Sequence, residues 1–218
     1  MKQKTTFLVS ATFLLLVFVL SMLFYTSQKE DAALQLSEAN RTALIRMHSP
    51  TLGKSDAPVV IVEFLDPACG TCRKFYPFVK QIMADNPDKI RVVLRYAPFH
   101  SGSDKVVAML EGARHQGKFW EALEILLNYQ SEWTQNHSAS VDKAWRILER
   151  IGINMEQMNE DMNSMETASV IAQDLADAKT LNVTMTPEFF VNGKPLPSFG
   201  FDQLKTLVDE AVEDSDTR

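Results

Sequence analysis

The sequence predicts an α/β fold with an inserted helical domain, preceded by an N-terminal transmembrane helix. Three observations predict it. Two short apolar runs, Pro58 to Leu65 (PVVIVEFL) and Ile90 to Tyr96 (IRVVLRY), flank a segment of helical spacing, which is the pattern of a parallel strand-helix-strand unit. Ser103 to about Lys179 then carries helical periodicity almost throughout, within an insertion at about 99–181, before a strand signal returns near residue 188. Phe7 to Tyr25 reads FLVSATFLLLVFVLSMLFY, with no charge between Thr5 and Gln28.

The N-terminal run comes first. Its 19 residues make a helix of roughly 28 Å, about the thickness of a bilayer's hydrocarbon core. Lys2 and Lys4 precede it, so the positive-inside rule leaves the N-terminus in the cytoplasm and sends the body across the membrane. An uncleaved anchor is favoured over a removed signal peptide. The run is longer than the usual apolar core of such a peptide, and Leu23-Phe24-Tyr25-Thr26-Ser27 offers no Ala-x-Ala site. The expected place is therefore the inner (cytoplasmic) membrane, single-pass, with the folded body on the periplasmic or extracytoplasmic side. Charge agrees with this topology. Of 22 Lys+Arg and 28 Asp+Glu, residues 1–29 hold three lysines and no acid, which leaves 19 bases against 28 acids beyond them. An acidic body has no footprint for gripping phosphates, so no nucleic-acid partner is expected.

The domain plan places the cytoplasmic tip and signal-anchor at 1–28, a tether at 29–57 and the folded domain at 58–215. Within the tether, Leu36, Ala39, Ala43 and Met47 have helical spacing until Ser49-Pro50-Thr51-Leu52-Gly53 breaks it. Pro58 to Leu65, interrupted only by Glu63, suits a central strand buried on both faces, and Asp66-Pro67 ends it. The helix from Cys69 to about Asn86 aligns Cys72, Phe75, Tyr76, Val79, Ile82 and Met83 on one face, with Pro77 in its middle. In the insertion, Val106 to Leu127, Trp145 to Ile151 and Met155 to Ala178 mark three helical stretches. Glu188 to Val191 and Lys194 to Leu196 flank Asn192-Gly193, the strongest short hairpin signal. A last helix carries Phe201, Leu204, Leu207, Val208 and Val212, and Glu213 to Arg218 reads as a frayed tail.

The chain has two cysteines, Cys69 and Cys72, too few for a disulfide framework or a four-thiolate zinc site. Outside the cytoplasm disulfides persist, so the pair reads as a static disulfide, two unrelated thiols or a redox pair, and its place at a strand-to-helix junction favours the redox pair. Where a strand gives way to a helix, free backbone N–H groups and the helix dipole lower a thiol's pKa below the roughly 8.5 of a free cysteine. Cys69 is therefore the expected nucleophile. Cys72, one turn further in, is placed to attack a mixed disulfide and release the partner. Gly70 and Thr71, expected to meet the substrate between the cysteines, bring no charge, while Arg73 and Lys74 add positive potential nearby.

These residues resemble the thioredoxin superfamily, in its DsbA/DsbG-like branch of bacterial thiol:disulfide oxidoreductases. The resemblance rests on Val62-Glu63-Phe64 leading into Cys69-Gly70-Thr71-Cys72, on Pro77, on the helical block, and on Thr186-Pro187-Glu188-Phe189-Phe190-Val191-Asn192-Gly193. It implies a thioredoxin-like fold, a cis Pro187 against the cysteines, and pairing of the Thr186 backbone with substrate polypeptide. It also implies an acid at Glu63 that relays a proton for Cys72, which fits a carboxyl whose pKa is raised by burial. The implied partners are exported protein thiols or disulfides and a membrane redox partner that resets the pair; no organic cofactor or metal is required. Gly-Thr departs from the Pro-His pair of the strongly oxidising members, so a less oxidising potential is expected.

Two features point elsewhere. Met155, Met158, Met162 and Met165 recur on one helical side, and thioethers with the dithiol suit Cu(I), which makes a copper-binding or copper-delivering module the alternative reading. A soft packing face is the plainer account of the same spacing. His48, His100, His115 and His137 show no metal-ligand spacing. His100 alone follows a strand whose C-terminal end should lie on the active-site side.

Overall fold

The computed structural model describes residues 42–217, so the apolar run at 7–25 and most of the tether lie outside the described residues. The strands are β1 (Thr51–Leu52), β2 (Val59–Leu65), β3 (Ile90–Tyr96), β4 (Thr134–Gln135), β5 (Ser138–Ala139), β6 (Glu188–Val191) and β7 (Lys194–Pro195). The helices are α1 (Gly70–Asp85), α2 (Ser103–His115), α3 (Phe119–Asn128), α4 (Gln130–Trp133), α5 (Val141–Leu148), α6 (Met155–Met162), α7 (Met165–Thr180) and α8 (Phe201–Asp216).

The main sheet has the order β1-β3-β2-β6-β7. β2 and β3 pair in parallel, with Val59 opposite Ile90 and Leu65 opposite Tyr96, as expected for strands joined through a helix. β6 runs antiparallel to the other side of β2, and β7 closes the hairpin at Asn192-Gly193. Both turn residues take positive φ, 46° and 84°, the conformation that an Asn-Gly turn supplies at little steric cost.

Period-two alternation sorts the strands onto two faces. Val59, Ile61, Ile90, Val92, Phe189 and Val191 pack with Phe75, Val79 and Ile82 of α1 and with Leu204, Val208 and Val212 of α8. Val62, Phe64, Val93 and Phe190 face the other way, against Leu44, Ala178 and Val183. The helical block folds around its own core of Met109, Leu110, Leu123, Leu126, Trp133 and Leu148, continuous with Leu65, Leu94 and both cysteines.

The tether and the domain boundary need correction. The fold does not start at residue 58. Leu44 is buried, β1 pairs with β3, and the Arg46 guanidinium makes a two-pronged contact with Asp177 at 2.7 Å on each arm. The physical reason is a buried charge. Arg95, fully buried on β3, bonds Asp174 and Asp177 of α7, and residues 43–48 complete that network through the Ala43 carbonyl, Arg46 and His48. Met47, expected on a helical stripe, is fully exposed. The supposed frayed tail is also ordered, with α8 continuing to Asp216, which holds Lys89 at 2.6 Å.

Inside the insertion, the third helical stretch divides in two. Asn154 caps α6 and Ser164 caps α7 with side-chain acceptors, and a capping residue marks a helix start more sharply than periodicity does. The small β4–β5 hairpin has no glycine in its turn. Asn136 and His137 take φ of 49° and 59° there, so the usual sequence signal was missing.

Candidate active site

Cys69 is the N-cap of α1, with extended backbone (φ −76°, ψ 119°), and its carbonyl accepts the first helical bond from Arg73 at 3.2 Å. It is 7% exposed, whereas Cys72 is sealed in the core; both are free thiols. The peptide Thr186–Pro187 is cis, and the Thr186 carbonyl lies 3.1 Å from Cys69 Sγ. The structure thus brings Cys69, Cys72, Thr186 and Pro187 together across 117 positions of sequence between Cys69 and Thr186.

The two thiols are pushed in opposite directions. Hydrogen bonds from the Cys72 thiol, the Thr186 side chain and the backbone N–H groups of Cys72 and Thr71 outweigh burial and bring Cys69 down to about 5. Cys72 goes well above the ordinary thiol value. Burial is the largest cause, and its bond to Cys69 and the charge of Glu63 add to it. At neutral pH the site holds one thiolate and one thiol.

Glu63 is buried on β2, on the α1 face of the sheet, between Leu94 on β3 and Phe189 on β6. Its Oε1 has no hydrogen-bond partner, and burial, helped by the negative charge on Cys69, raises the carboxyl to about 8. Gly70 is exposed, and a Cβ there would come no closer than 4.0 Å to Gln130 Oε1, so this glycine leaves the approach to Cys69 open rather than relieving a clash. Thr71 is half-buried beside it. Arg73 and Lys74 do not figure among the causes that lower Cys69; hydrogen bonding does that work.

Sequence reasoning missed two residues that shape the site. Gln130, buried at the start of α4, donates from one Nε2 to the carbonyls of Pro67 at 2.7 Å and Cys69 at 3.0 Å. A lone glutamine 61 positions downstream carries no local signal of this. Asp66 read as strand punctuation, yet it is fully buried, and its carbonyl accepts from Cys69 N–H at 3.0 Å. Of the four histidines, only His100 is tied to the site, through Asp66 at 2.7 Å; His48 and His115 bind Asp174 and Asp161. The methionine row is mostly packing. Met158 is buried against Gly112, where an added Cβ would stand 2.9 Å from Met158 Cγ, Met155 and Met162 line the same core, and Met165 points to solvent.

Comparison with known proteins places this geometry in a family. A family model described as thioredoxin matches residues 46–210. A thioredoxin-like oxidoreductase from Silicibacter pomeroyi superposes with a TM-score of 0.69 at 30% identity, covering 79% of this chain and 98% of that one. BdbD from Bacillus subtilis superposes at 0.66 with 23% identity over 76% of this chain and 93% of its own. For α-DsbA1 from Wolbachia pipientis the score is 0.70 at 18% identity, with 82% and 98% covered. Among curated proteins, a Na(+)/H(+) antiporter NhaA 3 from Salinispora tropica is 32% identical over 145 residues, which are 65% of this chain and 21% of that protein. The chain therefore spans about a fifth of the length of the curated relatives it matches. With a strand-helix-strand unit, a helical block and a hairpin around one dithiol, the chain belongs to the thioredoxin family and has the fold of its DsbA-like branch.

Proposed function

We propose that the chain is a membrane-anchored protein thiol-disulfide oxidoreductase of the DsbA type, acting on exported proteins or a dedicated partner outside the cytoplasm. The observation that carries the reading is the placement of Cys69 at the N-cap of α1, 3.1 Å from the Thr186 carbonyl, with Cys72 sealed in the core one turn on, an arrangement that splits the pair by bringing Cys69 down to about 5 and holding Cys72 well above its ordinary value. Such a split separates an attacking from a resolving thiol.

In the reducing direction, the Cys69 thiolate attacks a partner disulfide. A Cys69–partner S–S bond forms, the partner's own S–S bond breaks, and its first sulfur leaves as thiolate. Cys72 then gives up its proton and attacks Cys69 Sγ, forming the Cys69–Cys72 disulfide and releasing the partner's second sulfur. Two electrons pass to the partner; oxidation of a substrate dithiol is the reverse. Once Cys69 is tied up in the mixed disulfide its negative charge is gone, and with it one of the two causes that raise Glu63. The carboxyl becomes more acidic at the stage when Cys72 must deprotonate, so Glu63 takes that proton through its unpartnered oxygen. In this reading the backbone of Thr186, whose carbonyl is at hydrogen-bond distance from Cys69 Sγ, pairs with the incoming chain beside Pro187.

The test is covalent trapping. Cys72→Ala removes the resolving step, so mixed disulfides through Cys69 should accumulate on envelope proteins, and Cys69→Ala should abolish them. Absence of any adduct in the Cys72→Ala strain overturns the reading. For the anchor, the full chain should stay in the membrane pellet after alkaline carbonate extraction, with its folded domain open to protease added from the extracytoplasmic side. Release into the supernatant removes the anchor but leaves the redox reading standing.

A further inference from the structure

Asp66 is the last residue before the Pro67-Ala68-Cys69 turn and is fully buried. A buried carboxylate stays in place only when its oxygens are matched by donors, and here every donor ties down one end of the active-site loop. Oδ1 accepts from the Ala68 backbone N–H at 2.8 Å and from the Ser103 hydroxyl. Oδ2 accepts from the His100 backbone N–H at 2.9 Å and from His100 Nδ1 at 2.7 Å. The Asp66 backbone itself lies in the site: its carbonyl accepts from Cys69 N–H at 3.0 Å.

We propose that Asp66 and His100 are a positioning pair for the dithiol, in which His100 and its loop hold the carboxylate that fixes the turn delivering Cys69 to the N-terminus of α1. This rests on the redox reading of Cys69 and Cys72. A carboxylate is acceptor-only, so His100 Nδ1 carries the proton, and that donor is present both in the neutral Nδ1–H tautomer and in the imidazolium. The imidazole is braced in turn. Its ring stacks on His137 at the tip of the β4–β5 hairpin, with centroids 5.6 Å apart and planes within 16°. The same hairpin donates Ala139 N–H to the Ser101 carbonyl at 2.8 Å. The inserted helical block therefore braces His100 against Asp66, beside its direct bond from Gln130 to the Cys69 carbonyl.

Two His100 substitutions separate the donor from the ring. His100→Phe keeps an aromatic face for His137 and loses the bond to Asp66; His100→Asn keeps an N–H at the Nδ1 position and loses the ring. The readout is the pH dependence of alkylation of Cys69 in the reduced full chain, with thermal unfolding measured alongside. Wild type should react with a midpoint near 5. His100→Phe should move the midpoint up by about one pH unit or more, and His100→Asn should return it most of the way. An unchanged midpoint in His100→Phe, even with a lowered Tm, overturns the pair, and so does an equal shift in both variants. A wild-type midpoint at the ordinary thiol value would instead overturn the redox reading, and the pair with it.

Discussion

At the N-terminus of α1, hydrogen bonding to the Cys69 sulfur outweighs its burial, while Cys72 and Glu63 lie in an apolar layer with little to compensate a charge. The same burial therefore acts on three groups and is overcome at only one of them. Glu63 carries a stability consequence whose sign follows from its raised pKa. Its protonated form is favoured by the fold, so that contribution is fully present below pH 4.5 and is lost as pH rises through about 8. Glu63→Gln, which is never charged, should match wild type near pH 4.5 and exceed it at pH 8.5 by on the order of 2 kcal/mol in urea unfolding of the reduced protein. The same variant should slow release of mixed disulfides at Cys72. Because the Cys69 charge is one cause of the shift, the stability gap should narrow in the oxidised form. Cys69, Cys72 and Glu63 were legible as candidates because residue type and local spacing select them. Gln130 and the full role of Asp66 were not, because their partners are distant backbone atoms that no local pattern encodes.

Among the elements, β3 and α7 are joined by charge rather than by apolar contact alone. Arg95 is fully buried, lies over the Phe64 ring at 5.4 Å, and bonds Asp174 at 2.7 Å, while Asp174 also accepts from the Tyr96 backbone N–H at 2.7 Å and meets His48 Nε2 at 2.7 Å. Removing one member of such a network leaves the others buried without compensation. Asp174→Ala should cost on the order of 3 kcal/mol, read as a lower denaturant midpoint with the slope unchanged. The strands themselves were readable. β3 matches its apolar run end to end and β2 starts one residue inside its own, because a buried strand must be continuously apolar and a turn must follow it. The helical block was readable as a block but not as six helices. Periodicity continues across a short break, and what ends each helix is a cap or a turn of one or two residues.

For the molecule as a whole, the segment expected to be a tether is partly structural, and this can be measured. A chain starting at residue 42 should unfold cooperatively. A chain starting at residue 58 lacks β1, Leu44, Arg46 and His48, leaves Asp174 and Asp177 with Arg95 as their only remaining ion-pair partner from this network, and should melt at least several degrees lower and be cut readily by protease. Equal melting temperatures would mean that residues 42–57 are a passenger on the fold.

By itself the sequence determined the α/β order of elements, the dithiol at a strand-helix junction, the hairpin at Asn192-Gly193 and the carboxyl in an apolar strand, since each is written in residue type and short-range period. Only the tertiary structure decided that Thr186 stands 3.1 Å from Cys69, that residues 42–57 belong to the domain, and that His100 reaches the site through Asp66. Those are contacts between residues tens to more than a hundred positions apart. They are chosen by which buried donors, acceptors and charges must be matched once the sheet has closed, and no window along the chain contains both partners.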